Sequence, residues 1–210
     1  MSLGVKRKEG TKKVIVRAYT GADYDIPYDT TKSYDVIAYA SRRIIDFLKK
    51  VAELARKAGF NANVYVDYEN MLADLEVEGR SEEFEKWFAE NPEVGKLWDK
   101  VIDDIKEFMK KNGITGAVED FSADYYELGI TIINPNSASA VYIQLAEYPV
   151  EDDTEYVHLD RRVTVIEPEA PVSKEMLEEI ANELIFNYEP GEYKYEVSEG
   201  PEGLEIKEIK

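Results

Sequence analysis

Hydrophobic and polar positions alternate with several different periods along the chain, and the first clear pattern is helical. Between Ser33 and Gly59 the apolar residues recur at spacings of three and four, so they lie on one face of a helix. Ser33 is a candidate N-cap, and Gly59 suits the left-handed residue that follows a helix. The stripe consists of Ile37, Ala40, Ile44, Phe47, Leu48, Val51, Leu54, Ala55 and Ala58. This segment therefore predicts a long amphipathic helix.

The pattern then changes to a period of two, which is typical of strands with one buried face. The stretches NVYVDY and LADLEVEG follow the glycine and predict a hairpin. Asp74, Glu76 and Glu78 alternate with apolar residues in the second strand, which indicates that one face of the sheet is solvated.

Two further helical stripes follow the same plan. One begins at Asn91 and Pro92, a combination that favours a helix start, and ends at Gly113. The other begins after Ser173 and includes Tyr188. A short helix precedes the first of them, with Ser81 as its candidate N-cap. Strands are predicted at VIVRAY, GAVEDF, YYELGITIIN, AVYIQLAEY, YVHLDRRVTVI, YKYEV and LEIKEI.

These elements predict an α+β fold. Three main helices would pack on one face of a largely antiparallel sheet built from hairpins, because successive strands are close in sequence. Residues 1–13 are expected to be a flexible basic arm, and residues 14–210 a single α+β domain. An alternative division gives a helix-rich subdomain over residues 14–112 and a β-rich one over residues 113–210.

Composition narrows the possible chemistry. The chain has no cysteine, so disulfides, thiolate metal sites and thiol nucleophiles are excluded. Scarce cysteine and glutamine with abundant glutamate, lysine and tyrosine is typical of hyperthermophile proteins. No apolar run reaches the roughly 20 residues that span a bilayer. The first ten residues do not resemble a signal peptide, so a cytoplasmic location is expected.

Charge argues against two classes of partner. The net charge is −18 at pH 7, which disfavours DNA, RNA and anionic membrane surfaces as partners. A short basic stretch near the N-terminus is the only candidate for phosphate contacts, with a solubilising tail as the alternative. This stretch contains Lys6, Arg7, Lys8, Lys12 and Lys13.

A loop between the first strand and the first long helix is the first candidate site. It interleaves carboxylates with tyrosines, and tyrosine gives a large amphipathic contact area at little entropic cost. The residues are Asp23, Asp25 and Asp29, with Tyr24, Tyr28 and Tyr34. Alternate carboxylates also suit a hard cation, although the loop lacks the glycine and distal glutamate of an EF-hand. A purely structural surface loop is the remaining interpretation.

Three other features of the sequence are candidate sites. Glu119, Asp120, Asp124 and Glu127 form an acidic group that suggests either a metal site or a solvated turn. His158 is the only histidine, and its parity points it away from the core with Asp160.

Arg161 shares the parity of Val157, Leu159 and Val163, so an unbulged strand directs it inward. A buried guanidinium must be paired, either within the protein or with an anionic ligand.

No phosphate-binding loop, zinc-binding motif or nucleophile elbow occurs, so no cofactor is expected. The sequence therefore favours a non-catalytic, acidic protein-interaction module whose partner is a protein, and the negative charge suits a basic one. A metal-dependent hydrolase or nuclease that uses clustered carboxylates is one alternative. A structural or assembly subunit, with homo-oligomers formed through strand edges, is the other.

Overall fold

The computed structural model describes residues 13–22, 32–121, 126–150, 152–187 and 189–210. This part of the chain contains four α-helices and nine β-strands, so the α+β class is confirmed. The helices are α1 (Ser33–Lys57), α2 (Ser81–Glu90), α3 (Pro92–Lys111) and α4 (Lys174–Leu184). The strands are β1 (Val14–Gly21), β2 (Asn61–Asp67), β3 (Leu72–Glu78), β4 (Thr115–Asp120), β5 (Glu127–Ile133), β6 (Ala138–Val150), β7 (Thr154–Pro168), β8 (Gly191–Gly200) and β9 (Gly203–Glu208).

All strands belong to one antiparallel sheet that branches at β7. Along one side β7 pairs with the whole of β6, through its residues from Thr154 to Ile166. On its other side β7 pairs first with β3, up to His158, and then with β1, from Val163 onward. The sheet order is β4-β5-β6-β7-β1-β8-β9, with β2 joined to β3. The division of the chain into one domain or two stays a prediction.

Helices cover both faces of this sheet, which corrects the expectation that they pack on one face. Ile132 belongs to the core cluster beneath α1, α2 and α3, whereas Ile133 belongs to the cluster beneath α4. Successive strand residues point to opposite faces, so α4 lies on the face opposite the other three helices. Every residue of β5 from Leu128 to Ile133 is consequently buried.

Burial of the predicted α1 stripe holds the larger core together. Ile44, Leu48 and Val51 are each 0% exposed, and each fully buried aliphatic side chain of this size contributes about 1.5–3 kcal/mol. Phe47 extends this core by packing edge-on against Trp98 of α3. The short predicted helix, α2, was not counted among the three main helices. It nevertheless supplies buried Phe84 and Phe88 to the same core.

Two of the predicted N-caps are correct and two are not. Asn91 caps α3 by accepting a hydrogen bond from the amide of Glu93, and Ser173 caps α4. At α1 and α2, however, Lys32 and Arg80 occupy the N-cap positions in left-handed backbone conformations. The hydroxyl of Ser33 instead donates to Ser139 Oγ on β6 at 2.8 Å.

The N-terminus of α2 is capped from a distant part of the chain. The carboxylate of Asp153, in the β6–β7 turn, accepts hydrogen bonds from the backbone amides of Arg80 and Ser81 and from the Ser81 hydroxyl. These donors hold the pKa of Asp153 below its usual range, with the Ser81 hydroxyl as the largest cause. The contact fixes α2 against the end of the β6–β7 hairpin.

In the described part of the chain, no helix combines the length and the apolar character needed to cross a membrane.

Candidate functional site

Arg161 lies inward on β7, at the branch of the sheet. Arg161 is 4% exposed. Its strand, β7, pairs with β6 in continuous register and has no bulge at this position. The guanidinium donates to the Ser41 hydroxyl on α1 at 2.9 Å and to the backbone carbonyl of Asn70 at 2.5 Å. These partners come from α1 and the β2–β3 turn, so the guanidinium joins three elements at the branch.

Most of the predicted Asp/Tyr loop lies outside the described residues, which include none of Asp23, Tyr24, Asp25, Tyr28 and Asp29. Its last member, Tyr34, is described, lies in the first turn of α1 and is 67% exposed. The structure therefore does not test this loop as a site. Its binding role stays a prediction.

The second acidic group does not converge within the described residues. Glu119 and Asp120 are consecutive residues of β4, so their side chains point to opposite faces. Glu127 accepts a hydrogen bond from the amide of Gln144 on the neighbouring strand. Asp124 lies outside the described residues.

His158 faces away from the larger core, as its parity predicts, and it forms a pair with a carboxylate. Its Nδ1 lies 2.5 Å from Asp74 Oδ1, directly across the β3–β7 ladder. The ring of Tyr148 lies 6.1 Å from the histidine ring, centroid to centroid. Among the described hydrogen bonds, none joins a serine or threonine to this pair.

The same pair belongs to a surface that we call the aromatic face, formed by the outward side chains of β2, β3, β7 and β6. One row across the ladders is Tyr65, Asp74 and His158, and the next contains Glu76, Tyr156 and Tyr148. Tyr65 is 55% exposed and Tyr148 is 51% exposed, so these rings meet solvent although they stand on a rigid sheet.

Glu76 places negative charge between the tyrosines of this face. Its carboxylate is the largest cause that raises the pKa of Tyr65. For Tyr156 burial is the largest cause of the raised pKa, and Glu76 is the next. Both phenols are therefore neutral hydrogen-bond donors at pH 7, beside the Glu76 side chain.

A third arrangement, which we call the carboxylate cluster, lies on the opposite face of the sheet. It consists of Glu85 on α2, Glu147 on β6 and Glu155 on β7, with one oxygen from each residue within 4.8 Å of the others. Glu155 shares the face of Val157 and Leu159, and it lies opposite Val77 of β3. The β6–β7 register places Glu147 two residues along the same face from Glu155.

Glu155 is the unusual member of the carboxylate cluster. It is 0% exposed, and both of its carboxylate oxygens are buried without a hydrogen-bond partner in the described structure. Burial, followed by the charges of Glu85 and Glu147, raises its pKa to about 7. Burial and Glu85 also raise the pKa of Glu147. The cluster therefore places its innermost carboxylate, Glu155, where water screens charge poorly.

Sequence reasoning missed both the aromatic face and the carboxylate cluster. The parity that directed Arg161 inward applies equally to Glu155, six residues earlier on the same strand, but the predicted strand began only at Tyr156. A longer strand would have identified Glu155 as an inward carboxylate. No local signal connects Glu85 or Tyr65 to β7, because those contacts depend on tertiary packing.

Comparison of the chain with protein-family models, with curated proteins and with solved structures finds no match. Function is therefore inferred from these side-chain arrangements alone.

Proposed function

We propose that this protein is a non-catalytic interaction module that binds a basic segment of a partner protein on its aromatic face. The observation that carries the proposal is that two exposed rings, Tyr65 and Tyr148, stand on one face of the sheet. The carboxylates of Asp74 and Glu76 lie on β3 beside Tyr65, and His158 and Tyr156 lie on β7 beside Tyr148. Large rigid aromatic side chains with polar tips are enriched at protein interfaces.

The charge of the molecule favours a basic partner. A net charge of −18 attracts lysine- and arginine-rich segments over long distances and repels nucleic acids. On the aromatic face, a lysine or arginine would meet a carboxylate and a tyrosine ring together. A cation over an exposed ring contributes about 0.5–1 kcal/mol.

The chain uses the same contact internally. The guanidinium of Arg43 lies 5.9 Å from the centroid of the Tyr39 ring. The guanidinium of Arg80 lies 4.7 Å from the centroid of Phe60. These internal pairs support an equivalent intermolecular contact at Tyr65 and Tyr148, where no lysine or arginine of the described residues lies over the ring.

The test is titration of the protein with a fluorescent peptide rich in arginine and lysine, followed by fluorescence anisotropy at physiological ionic strength. The double variant Tyr65→Ser and Tyr148→Ser keeps the net charge unchanged, so general attraction to the acidic surface is preserved. We expect its affinity for the peptide to fall by roughly fivefold or more, because two cation–π contacts are lost.

Tyr34→Ser is the matched control, since this ring is exposed but lies on α1, away from the aromatic face. Unchanged binding by the double variant would overturn the proposal. Weaker binding by Tyr34→Ser alone would instead favour the Asp/Tyr loop that precedes α1. Light scattering across a concentration series tests the alternative of an assembly subunit, which a strict monomer would contradict.

A further inference from the structure

We propose that the carboxylate cluster of Glu85, Glu147 and Glu155 binds a hard divalent cation, and that its ligand set, made of protein carboxylates, favours calcium. This site lies beneath α2, on the face of the sheet opposite the aromatic face, so the proposal does not depend on the proposed interaction. Its three ligands come from α2, β6 and β7, and a bound ion would link these elements.

Glu155 by itself indicates a bound ligand, independently of the acidic residues around it. Its side chain is completely buried, yet neither carboxylate oxygen has a hydrogen-bond partner in the described structure. Buried carboxylates are normally paired or coordinate a metal ion. No lysine or arginine of the described residues forms an ion pair with a member of the cluster, so a cation from solution is the partner that its charge requires.

The ligand atoms of the carboxylate cluster indicate the kind of ion. All three ligands are carboxylate oxygens, which suit hard cations and not the softer metals that prefer nitrogen or sulfur. Calcium binds oxygen at 2.3–2.6 Å, so two of its ligands are up to about 5 Å apart. The cluster oxygens lie within 4.8 Å of one another, which matches that span. Magnesium demands near-octahedral geometry and usually keeps several of its waters, so a site built from protein carboxylates suits it less well than calcium.

The carboxylate cluster is accessible to an ion from solvent. Glu85 is exposed, Glu147 is half-buried and Glu155 is buried, so the cluster runs from the surface inward. An ion can therefore exchange its water for protein ligands one at a time. Lying beside the β6–β7 turn, whose Asp153 caps α2, a bound ion would reinforce an existing contact between that turn and the helix.

The test compares thermal unfolding of metal-free protein with and without added Ca²⁺, Mg²⁺ or Mn²⁺, together with calorimetric titration of Ca²⁺. A ligand that binds only the folded state raises the melting temperature. When free Ca²⁺ exceeds its Kd about a hundredfold, we expect an increase of about 5–10 °C. Mg²⁺ is expected to give a smaller increase.

Glu155→Gln removes the buried charge and one ligand. We expect this variant to melt above the wild-type protein in chelator and to lose the response to Ca²⁺. Glu147→Gln is a second, less buried probe and should also lose most of the response. Glu90→Gln makes the same charge change at the exposed end of α2, outside the cluster, and should respond like the wild-type protein.

Two results would overturn the proposal. If no divalent ion shifts the wild-type melting temperature while Glu155→Gln is stabilised, the cluster is held by a shared proton. If the Glu155→Gln and Glu147→Gln variants respond to Ca²⁺ as strongly as Glu90→Gln, the ion binds elsewhere on the acidic surface. Neither result would affect the peptide-binding test, which uses tyrosine variants on the other face.

Discussion

Arg161 and Ser41 lie 120 positions apart in the chain, and the Arg161 guanidinium donates a 2.9 Å hydrogen bond to the Ser41 hydroxyl. Ser41 in turn donates to the carbonyl of Ile37 on the same helix. The pair lies where β7 leaves β3 and joins β1, so it fixes α1 against the branch of the sheet.

We expect Arg161→Ala to lower the free energy of unfolding by roughly 3 kcal/mol, because it leaves a cavity and removes the donor from the Asn70 carbonyl. Urea denaturation measures the change. Arg162→Ala is the matched control, since the next residue points to the opposite face, its side chain is 34% exposed and its contact with Asp160 is 3.6 Å long. That control should cost about 1 kcal/mol or less. Equal losses for the two variants would contradict a structural role for Arg161.

Gly129 and Gly95 give opposite predictions for the same substitution. A Cβ at Gly129 would lie 1.7 Å from the Phe121 ring and 2.8 Å from Ile185, so Gly129→Ala is expected to destabilise the fold by roughly 1–3 kcal/mol. Gly95 lies inside α3 with no atom within 4 Å of such a Cβ, so Gly95→Ala should stabilise by about 0.5–1 kcal/mol. Urea denaturation measures both, and the same sign for the two variants would contradict this packing.

Asp153 supports a third prediction, about a cap that is distant in sequence. Its φ is +61°, a left-handed value that glycine and asparagine tolerate. Asp153→Gly removes the carboxylate without backbone strain, so we expect lower stability and faster amide hydrogen exchange in the first turn of α2. Asp153→Asn keeps an acceptor oxygen and should lose less. NMR measures this exchange. First-turn amides that exchange no faster in Asp153→Gly than in the wild-type protein would argue against the cap.

Asp67 gives a prediction about pH. Hydrogen bonds from the Asn70 side chain, and then from the backbone of Asn70 and Glu69, lower its pKa from the ordinary 3.8. The folded state therefore holds this proton less tightly than the unfolded state does. The stabilisation is complete above about pH 4 and is lost as the pH falls through the lowered value.

The stability difference between the wild-type protein and Asp67→Asn should accordingly shrink as the pH falls from 5 toward 3. Urea denaturation at each pH measures it. Asn70→Ala is expected to return the Asp67 pKa toward 3.8 in an NMR titration. A stability difference that does not change with pH would contradict the link to this carboxylate.

Much of the fold could be predicted because local patterns are strong. The α1 stripe and the α3 start at Asn91 and Pro92 follow from helical periodicity and from the backbone preferences of those residues. For α2 the capping group could not be predicted in the same way. Its cap comes from Asp153, and a hydrogen bond between distant segments leaves no local pattern.

The sequence by itself determined the helical stripes, the alternation of the strands, the inward direction of Arg161 and the large negative charge, because each depends on neighbours in the chain or on composition alone. Only the tertiary structure decided that α4 covers the opposite face, that Tyr65 and Tyr148 stand on one surface, and that Glu85, Glu147 and Glu155 converge. Those arrangements depend on which strands pair and in which register, and strand pairing joins segments that the local sequence does not link.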